Sequence, residues 1–475
     1  MSKGCRDVRG NERGIMGRIV ESSKPLDRSA AALVELVVGK MSSDGSGIAR
    51  TDEGVVFVEG ALPGEVVEAE VVRRKRDFSL ARLVRVKQAS AGRVVPACSV
   101  FGTCGGCQLQ HASYRLQLEV KADIVKDALS RIGGFDLRGL PDFECEPSPR
   151  QWGYRNKASF PVRKIKGKPV AGFYEADSHR LARLEACPVN AAPLNGLFSV
   201  IQRELPGLDL SVYDEREHAG ALRHVVLRSG LHTGETLVSL VVNGRLNARN
   251  MKSIARLYRP LRDAATRMPT LTLNHNSRPG NVILGDRTEA IKGDGLISER
   301  LDEWTLRYDT SSFFQVNTDQ AARLYRYARE RAQGENALEL YSGVGALTCY
   351  LARSNSVTAV EEWGSAVDLM ERNMKDNGIT NVRSLKGRAE DVMTNLPGGY
   401  DLVVLDPPRS GCERSVLDKI LEFGPKRVLY VSCNPSTLAR DAKILGEGGY
   451  RLKALRAFDM FPQTVHVETV ASMEL

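Results

Sequence analysis

Three cysteines fall within ten residues, as Cys98-x5-Cys104-x2-Cys107 in the stretch CSVFGTCGGCQLQH. Closely spaced thiols separated by turn-forming glycines signal a metal or an iron–sulfur cluster. A fourth thiolate is needed for closure. Cys187, followed by proline in LEACPVN, is the first candidate, and Cys145 the second. Zinc stays open as the alternative, although zinc ribbons usually present two C-x2-C knuckles. The C-x3-C-x2-C spacing of radical enzymes is not met. Cys5, Cys349 and Cys412 stand in no motif.

A second set of residues is spread over the last third of the chain. Glu339-Leu-Tyr-Ser-Gly-Val-Gly-Ala346 closes the first strand of an alternating strand–helix region. Its glycines, Gly343 and Gly345, allow a ligand to approach the backbone closely, as do strand-end turns in open α/β sheets. The third glycine of a dinucleotide fingerprint is missing. The next strand ends in Glu361, placed to accept both hydroxyls of a ribose. Together these features suggest S-adenosylmethionine rather than NAD. Asp406-Pro407-Pro408-Arg409 ends the fourth strand with an acid on a rigid turn. Amino-methylating enzymes usually place an aromatic residue after the prolines, so Arg409 makes an exocyclic amine a less natural target.

Cys433, in VLYVSCNPSTLAR, stands where an apolar strand breaks into a polar turn. Such a thiol is either a small core residue or a nucleophile. Its place on the same sheet edge as the methyl-donor residues favours the nucleophile. Carbon 5 of uracil is too weakly nucleophilic to take a sulfonium methyl directly, whereas thiolate addition at carbon 6 makes an enolate that can. A base must then remove the carbon-5 proton. Glu468 in FPQTVHVET is the candidate, with His466 as rival base or structural histidine.

These residues need particular elements to position them. Strands alternating with helices from about 311 to 475 predict a doubly wound α/β sheet. Residues 31–90 show five short strands with glycine turns, the pattern of a small OB-like barrel. Residues 91–310 read as a central α+β domain carrying the cysteine segment, and residues 1–30 as a mobile polar tail. The net charge of +9, with seven Lys or Arg in RRKRDFSLARLVRVK, favours a polyanionic partner. No apolar run has transmembrane length and the start lacks a secretory core, so a cytoplasmic location and no membrane partner are expected. Nine cysteines in such a compartment argue against disulfides.

In order along the chain, these motifs make the sequence similar to the bacterial RNA (uracil-5-)-methyltransferases. It most closely resembles the iron–sulfur members that act on 23S ribosomal RNA. The matching stretches are SSDGSGIARTDEGVVFVEGALPGEVVEAEVV, which looks like a TRAM domain, the cysteine segment, FFQVN, ELYSGVGALT, LDPPRSG, VSCNPSTLARD and FPQTVHVE. The resemblance implies a class I methyltransferase domain, with Cys433 as nucleophile and Glu468 as base. It further implies a methyl-donor site lined by Gln315, Tyr341, Ala346, Glu361 and Asp406, and a structural [4Fe-4S] cluster on Cys98, Cys104, Cys107 and Cys187. The expected partner is RNA, 23S rRNA first and the tRNA T-loop second, with the target base flipped out of its stack; no obligate protein partner is expected.

Overall fold

The β-branched segments near the start alternate inward and outward side chains, and they close on themselves. Strands β1 (Leu33–Met41), β2 (Gly47–Thr51), β3 (Gly54–Glu59), β4 (Val66–Arg74) and β5 (Phe78–Gln88) form a barrel in the order β1-β2-β3-β5-β4. Leu36, Val38, Val56, Val58 and Val67 fill its interior. The computed structural model describes residues 33–138, 140 and 143–475. The tail expected at 1–30 and Cys5 lie outside the described residues.

The cysteine segment follows the barrel and leads into helix α1 (Tyr114–Arg131), whose first turn is capped by the Ser113 hydroxyl. The short strand β6 (Cys145–Glu146) comes next. The central region then runs β7 (Lys157–Ile165), β8 (Lys168–Ala171), β9 (Phe173–Tyr174), β10 (Leu181–Ala182), α2 (Ala192–Glu204), β11 (Leu222–Ser229), β12 (Thr236–Val242), α3 (Ala248–Ala264), β13 (Thr270–His275) and β14 (Arg287–Lys292). Six of these strands form one sheet in the order β14-β13-β12-β11-β7-β8. Every residue of β11 and β12 is buried, as expected of strands covered on both faces.

A hairpin of β15 (Ile297–Leu301) and β16 (Trp304–Tyr308) and helix α4 (Thr318–Arg331) lead into the last unit. It comprises β17 (Asn336–Leu340), α5 (Ala346–Leu351), β18 (Ser356–Glu361), α6 (Gly364–Asp376), β19 (Val382–Lys386), α7 (Ala389–Thr394), β20 (Leu402–Leu405), α8 (Arg414–Phe423), β21 (Arg427–Ser432), α9 (Pro435–Glu447), β22 (Arg451–Phe458) and β23 (Glu468–Glu474). The strand order is β19-β18-β17-β20-β21-β23-β22-β6, with β17 to β21 mutually parallel and β23 antiparallel to β21. This is the doubly wound sheet of the class I methyltransferases, with its ligand edge at the C-terminal ends of the parallel strands.

The sheet draws its edge strand from far upstream, since β6 pairs in parallel with β22. Helix α1 also packs on it, with Val125 and Leu129 sharing a core with Leu438 and Leu445 of α9. A two-residue strand and an amphipathic helix carry no sequence signal of which sheet they join. Among the described residues, no helix is long and apolar enough to cross a membrane.

Candidate active site

Strand ends bring the second set of residues together. Asp406 directly follows β20, and Cys433 directly follows β21. Thr469 pairs opposite Ser432, so Glu468 on the antiparallel β23 stands one residue further along, beside Cys433. The chain turns sharply after the thiol: Ser432 Oγ accepts from the Asn434 N–H at 3.1 Å, and Pro435 opens α9.

The polar residues after Cys433 hold the neighbouring loop. Asn434 Nδ2 donates to the Arg409 carbonyl at 3.0 Å, and Arg440 Nη2 donates to the Ser410 carbonyl at 3.0 Å. The Asp441 carboxylate accepts from the Cys412 N–H at 2.8 Å and from the Tyr430 hydroxyl at 2.6 Å. Thus NPSTLARD fixes DPPRSGC and holds Arg409 near enough to act electrostatically on the thiol.

The electrostatics are those of crowded acids. Burial pushes the Cys433 thiol up to about 12, Glu468 and Asp406 add to the shift, and Arg409 opposes it. Burial likewise raises the Glu468 carboxyl well above its ordinary range, helped by Asp406 and opposed by Arg409. Desolvation alone lifts Asp406 to about 7. His466 differs: burial, then Arg409, Lys121 and Arg155, lower it to about 4, so its imidazole is neutral near pH 7. It precedes β23 rather than lying on it, so regular strand alternation does not place it relative to Glu468.

The first two strand ends form a cradle. The Glu361 carboxylate accepts from the Gly343 and Trp363 N–H groups, both at 2.9 Å. Tyr341, Gly343 and Gly345 all have positive φ, at 66°, 57° and 85°. A side chain on Gly345 would strike Met370 and Met374 of α6, whereas a Cβ on Gly343 would project into open space. A ligand can therefore lie directly on the backbone at Gly343. Ala346 begins α5 beside it. Gln315 is buried, and its carbonyl accepts from Asn156 Nδ2 at 2.9 Å, which joins it to the residue just before β7.

The spacing of motifs did not single out Glu339. It is fully buried, raised to about 8 by burial with Asp406 and Glu361 adding, and its Oε2 has no hydrogen-bond partner. An acid four residues before Gly343, inside an apolar strand, was the available signal.

The thiol set lies apart from this edge. Cys104 bridges to Glu175, Cys98 N–H donates to Gln110 Oε1 at 3.1 Å, and Asn195 brackets Cys187 with two 3.0 Å bonds. Burial pushes Cys107 up to about 12, and Cys187, Cys104 and Cys98 all act on it electrostatically. The four thiols thus share one neighbourhood. Cys145 is elsewhere, buried beside Asp459 and Lys121. Among the described residues, no three His, Cys, Asp or Glu side chains converge to hold a single metal ion.

Residues 33–84 match the TRAM domain, and residues 113–474 match the tRNA (Uracil-5-)-methyltransferase family. The chain belongs to that family. It is 39% identical over 466 residues to an uncharacterized RNA methyltransferase of Gloeobacter violaceus, covering 97% of this chain and 100% of that one. An uncharacterized RNA methyltransferase of Halalkalibacterium halodurans is 37% identical, over 93% of this chain and 97% of that one. The crystal structure of the Pyrococcus abyssi tRNA (uracil-54, C5)-methyltransferase with S-adenosyl-L-homocysteine superposes with a TM-score of 0.74 at 29% identity, over 93% of this chain and all of that one. The enzyme is an S-adenosylmethionine-dependent RNA (uracil-C5-)-methyltransferase.

On its TRAM barrel the basic run is largely neutralised. Arg74 pairs with Glu53 at 2.6 Å, Arg82 with Glu70 at 2.5 Å and Arg85 with Glu68 at 3.0 Å, and Lys87 pairs with Glu35. Arg73 near the end of β4 and Lys75 in the β4–β5 turn have no carboxylate partner among the described residues, whereas Arg76 pairs with its neighbour Asp77 at 3.4 Å.

Proposed function

We propose that the enzyme methylates carbon 5 of a flipped-out uridine in 23S rRNA, in the cytoplasm, with Cys433 as nucleophile and Glu468 as base. The juxtaposition of Cys433 and Glu468 across the β21–β23 ladder carries this reading. The Cys433 thiolate adds to carbon 6 and pushes electrons onto the uracil 4-oxygen. Carbon 5 then takes the methyl group, which S-adenosylmethionine supplies in electrophilic form. The Glu468 carboxylate removes the carbon-5 proton, the carbon 6–sulfur bond breaks, and the thiolate is regenerated.

Arg409 favours the thiolate and the ionised Glu468. Glu361 would accept the ribose hydroxyls, Gln315, Tyr341, Gly343, Gly345 and Ala346 would line the donor, and Asp406 would face donor and base alike. His466, neutral near pH 7, is the rival base. Cys98, Cys104, Cys107 and Cys187 would hold a [4Fe-4S] cluster. Four half-buried thiols that act on one another electrostatically ionise together only if further positive charge enters, and a cluster spreads its ligands over separate irons. The cluster's role would be structural.

A second reading is the same chemistry on a tRNA T-loop uridine, favoured by the likeness to the Pyrococcus abyssi tRNA enzyme. Mapping 5-methyluridine in rRNA and tRNA from a deletion strain decides between them. Loss at one 23S position supports the first reading, and loss in tRNA supports the second.

A further inference from the structure

The loop between β22 and β23 runs straight into Glu468, yet its path is dictated by residues far outside the last sheet strands. Gln463 has φ 73°, a conformation that a glutamine adopts only where its surroundings impose it. Its carbonyl accepts from the N–H groups of Gln108 at 3.1 Å and Leu109 at 2.9 Å, the two residues after Cys107. Its own N–H donates to Gln117 Oε1 at 2.9 Å, and its Oε1 accepts from Gln117 Nε2 at 3.0 Å. Gln463 is therefore matched through both its peptide and its side-chain amide, and both glutamines are buried.

The flanking residues are held in the same way. The Tyr154 hydroxyl donates to the Pro462 carbonyl at 2.9 Å, and Lys121 donates to the Phe461 carbonyl at 3.0 Å while pairing with buried Asp459. Val465 joins an apolar cluster with Met41 and Leu62 of the barrel and with Leu109. Gly45, in the β1–β2 turn, sits so close that an added Cβ would lie 2.9 Å from Gln108 and 3.0 Å from Val465. Barrel, cysteine segment and α1 thus converge on the chain that delivers the base.

We propose that Gln463 is a positioning residue for Glu468: its paired contacts with Gln117 and the Gln108–Leu109 peptides set the rate of carbon-5 deprotonation and leave thiol addition unaffected. This rests on the base assignment proposed above. Backbone anchored at Gln463 has only four residues before Glu468, too few to absorb a shift without moving the carboxylate.

The test separates the two steps in the full-length enzyme. The RNA is isolated from a strain lacking the enzyme, grown with either 5-tritiated uridine or 5-fluorouracil. Fluorine at carbon 5 cannot leave as a proton does, so fluorinated RNA traps the adduct without needing the base. Gln463→Gly keeps the left-handed backbone accessible while deleting the amide, and Gln117→Leu deletes the partner. Both variants are expected to trap fluorinated RNA at an unchanged rate and to release tritium slower by on the order of 10²-fold. They should also accumulate a covalent adduct on ordinary uridine, and the double variant should be no slower than either single one. A parallel fall in trapping and tritium release would overturn the proposal, as would unchanged release. Glu468→Gln serves as reference: normal tritium release by that variant would overturn the base assignment itself, whatever Gln463 does.

Discussion

The sheet edge around Cys433 and the pocket of thiols around Cys107 are both clusters of weak acids forced out of their ordinary range by burial. They differ in how they are built. At the sheet edge, Asp406, Cys433 and Glu468 are set by three adjacent strands, so ladder hydrogen bonds fix their spacing. Arg409 acts electrostatically on Cys433 and Glu468 and partly offsets the cost of ionising them. The thiols are set by loops and isolated contacts, and Cys104, Cys107 and Cys187 are each shifted first by burial, with other thiols adding to it. A cluster of acids with a resident cation can hold one ionised member at a time, as a nucleophile or base must. Among the thiols, Arg155 offsets burial at Cys187, and ionising all four together needs a further cation, as it does for ligands.

The largest effect that sharpens this contrast is Cys433→Ala. It should reduce 5-methyluridine formation to background while leaving iron content and thermal unfolding near wild type. Cys107→Ser should do the reverse in kind: loss of the visible iron–sulfur absorbance, and a stability loss of about 2 kcal/mol or more by denaturant unfolding. Cys145→Ser should leave that absorbance intact. If Cys433→Ala lost iron, or Cys145→Ser did, the division into two sites would fail.

A moderate effect concerns pH. Glu339 is raised to about 8 and Asp406 to about 7, with Glu468 also raised, so the folded protein keeps protons that the unfolded chain has released. Between the ordinary carboxylate range and about pH 8 the unfolded state binds fewer protons, so stability should fall as pH rises. The thermal midpoint should be higher near about pH 6 than near about pH 8.5, and Glu339→Gln should flatten the difference. Activity should move the opposite way, rising with pH, because thiolate and carboxylate are both required. The smallest effect is at the barrel: Arg73→Ala or Lys75→Ala should each lower the salt slope of RNA binding by about 1, and the carboxylate-paired Arg82→Ala by less.

Much of the sheet edge was legible because its period is local. VLYVSC, LDPP and AVE each end an apolar strand in a polar or acidic residue, and consecutive parallel strands put those ends on one side. The barrel was legible for the same reason, from alternation in LVELVVGK and EVVEAEVV. The recruitment of Cys145–Glu146 as an edge strand was not, because two residues carry no periodicity. Nor was the neutralisation of the barrel's basic run, since Arg82 and Glu70 are cross-strand neighbours only once β4 and β5 pair. The role of NPSTLARD as a clamp on the DPPRSGC loop also depends on two loops distant in sequence.

The central claim is that the Cys433 thiol adds to the target uracil. Incubating the enzyme and S-adenosylmethionine with 5-fluorouracil-substituted RNA, then digesting and sequencing the cross-linked peptide by mass spectrometry, tests it directly. The account predicts one nucleotide joined to the peptide VLYVSCNPSTLAR through Cys433. No cross-link, or one through another cysteine such as Cys412, would contradict it.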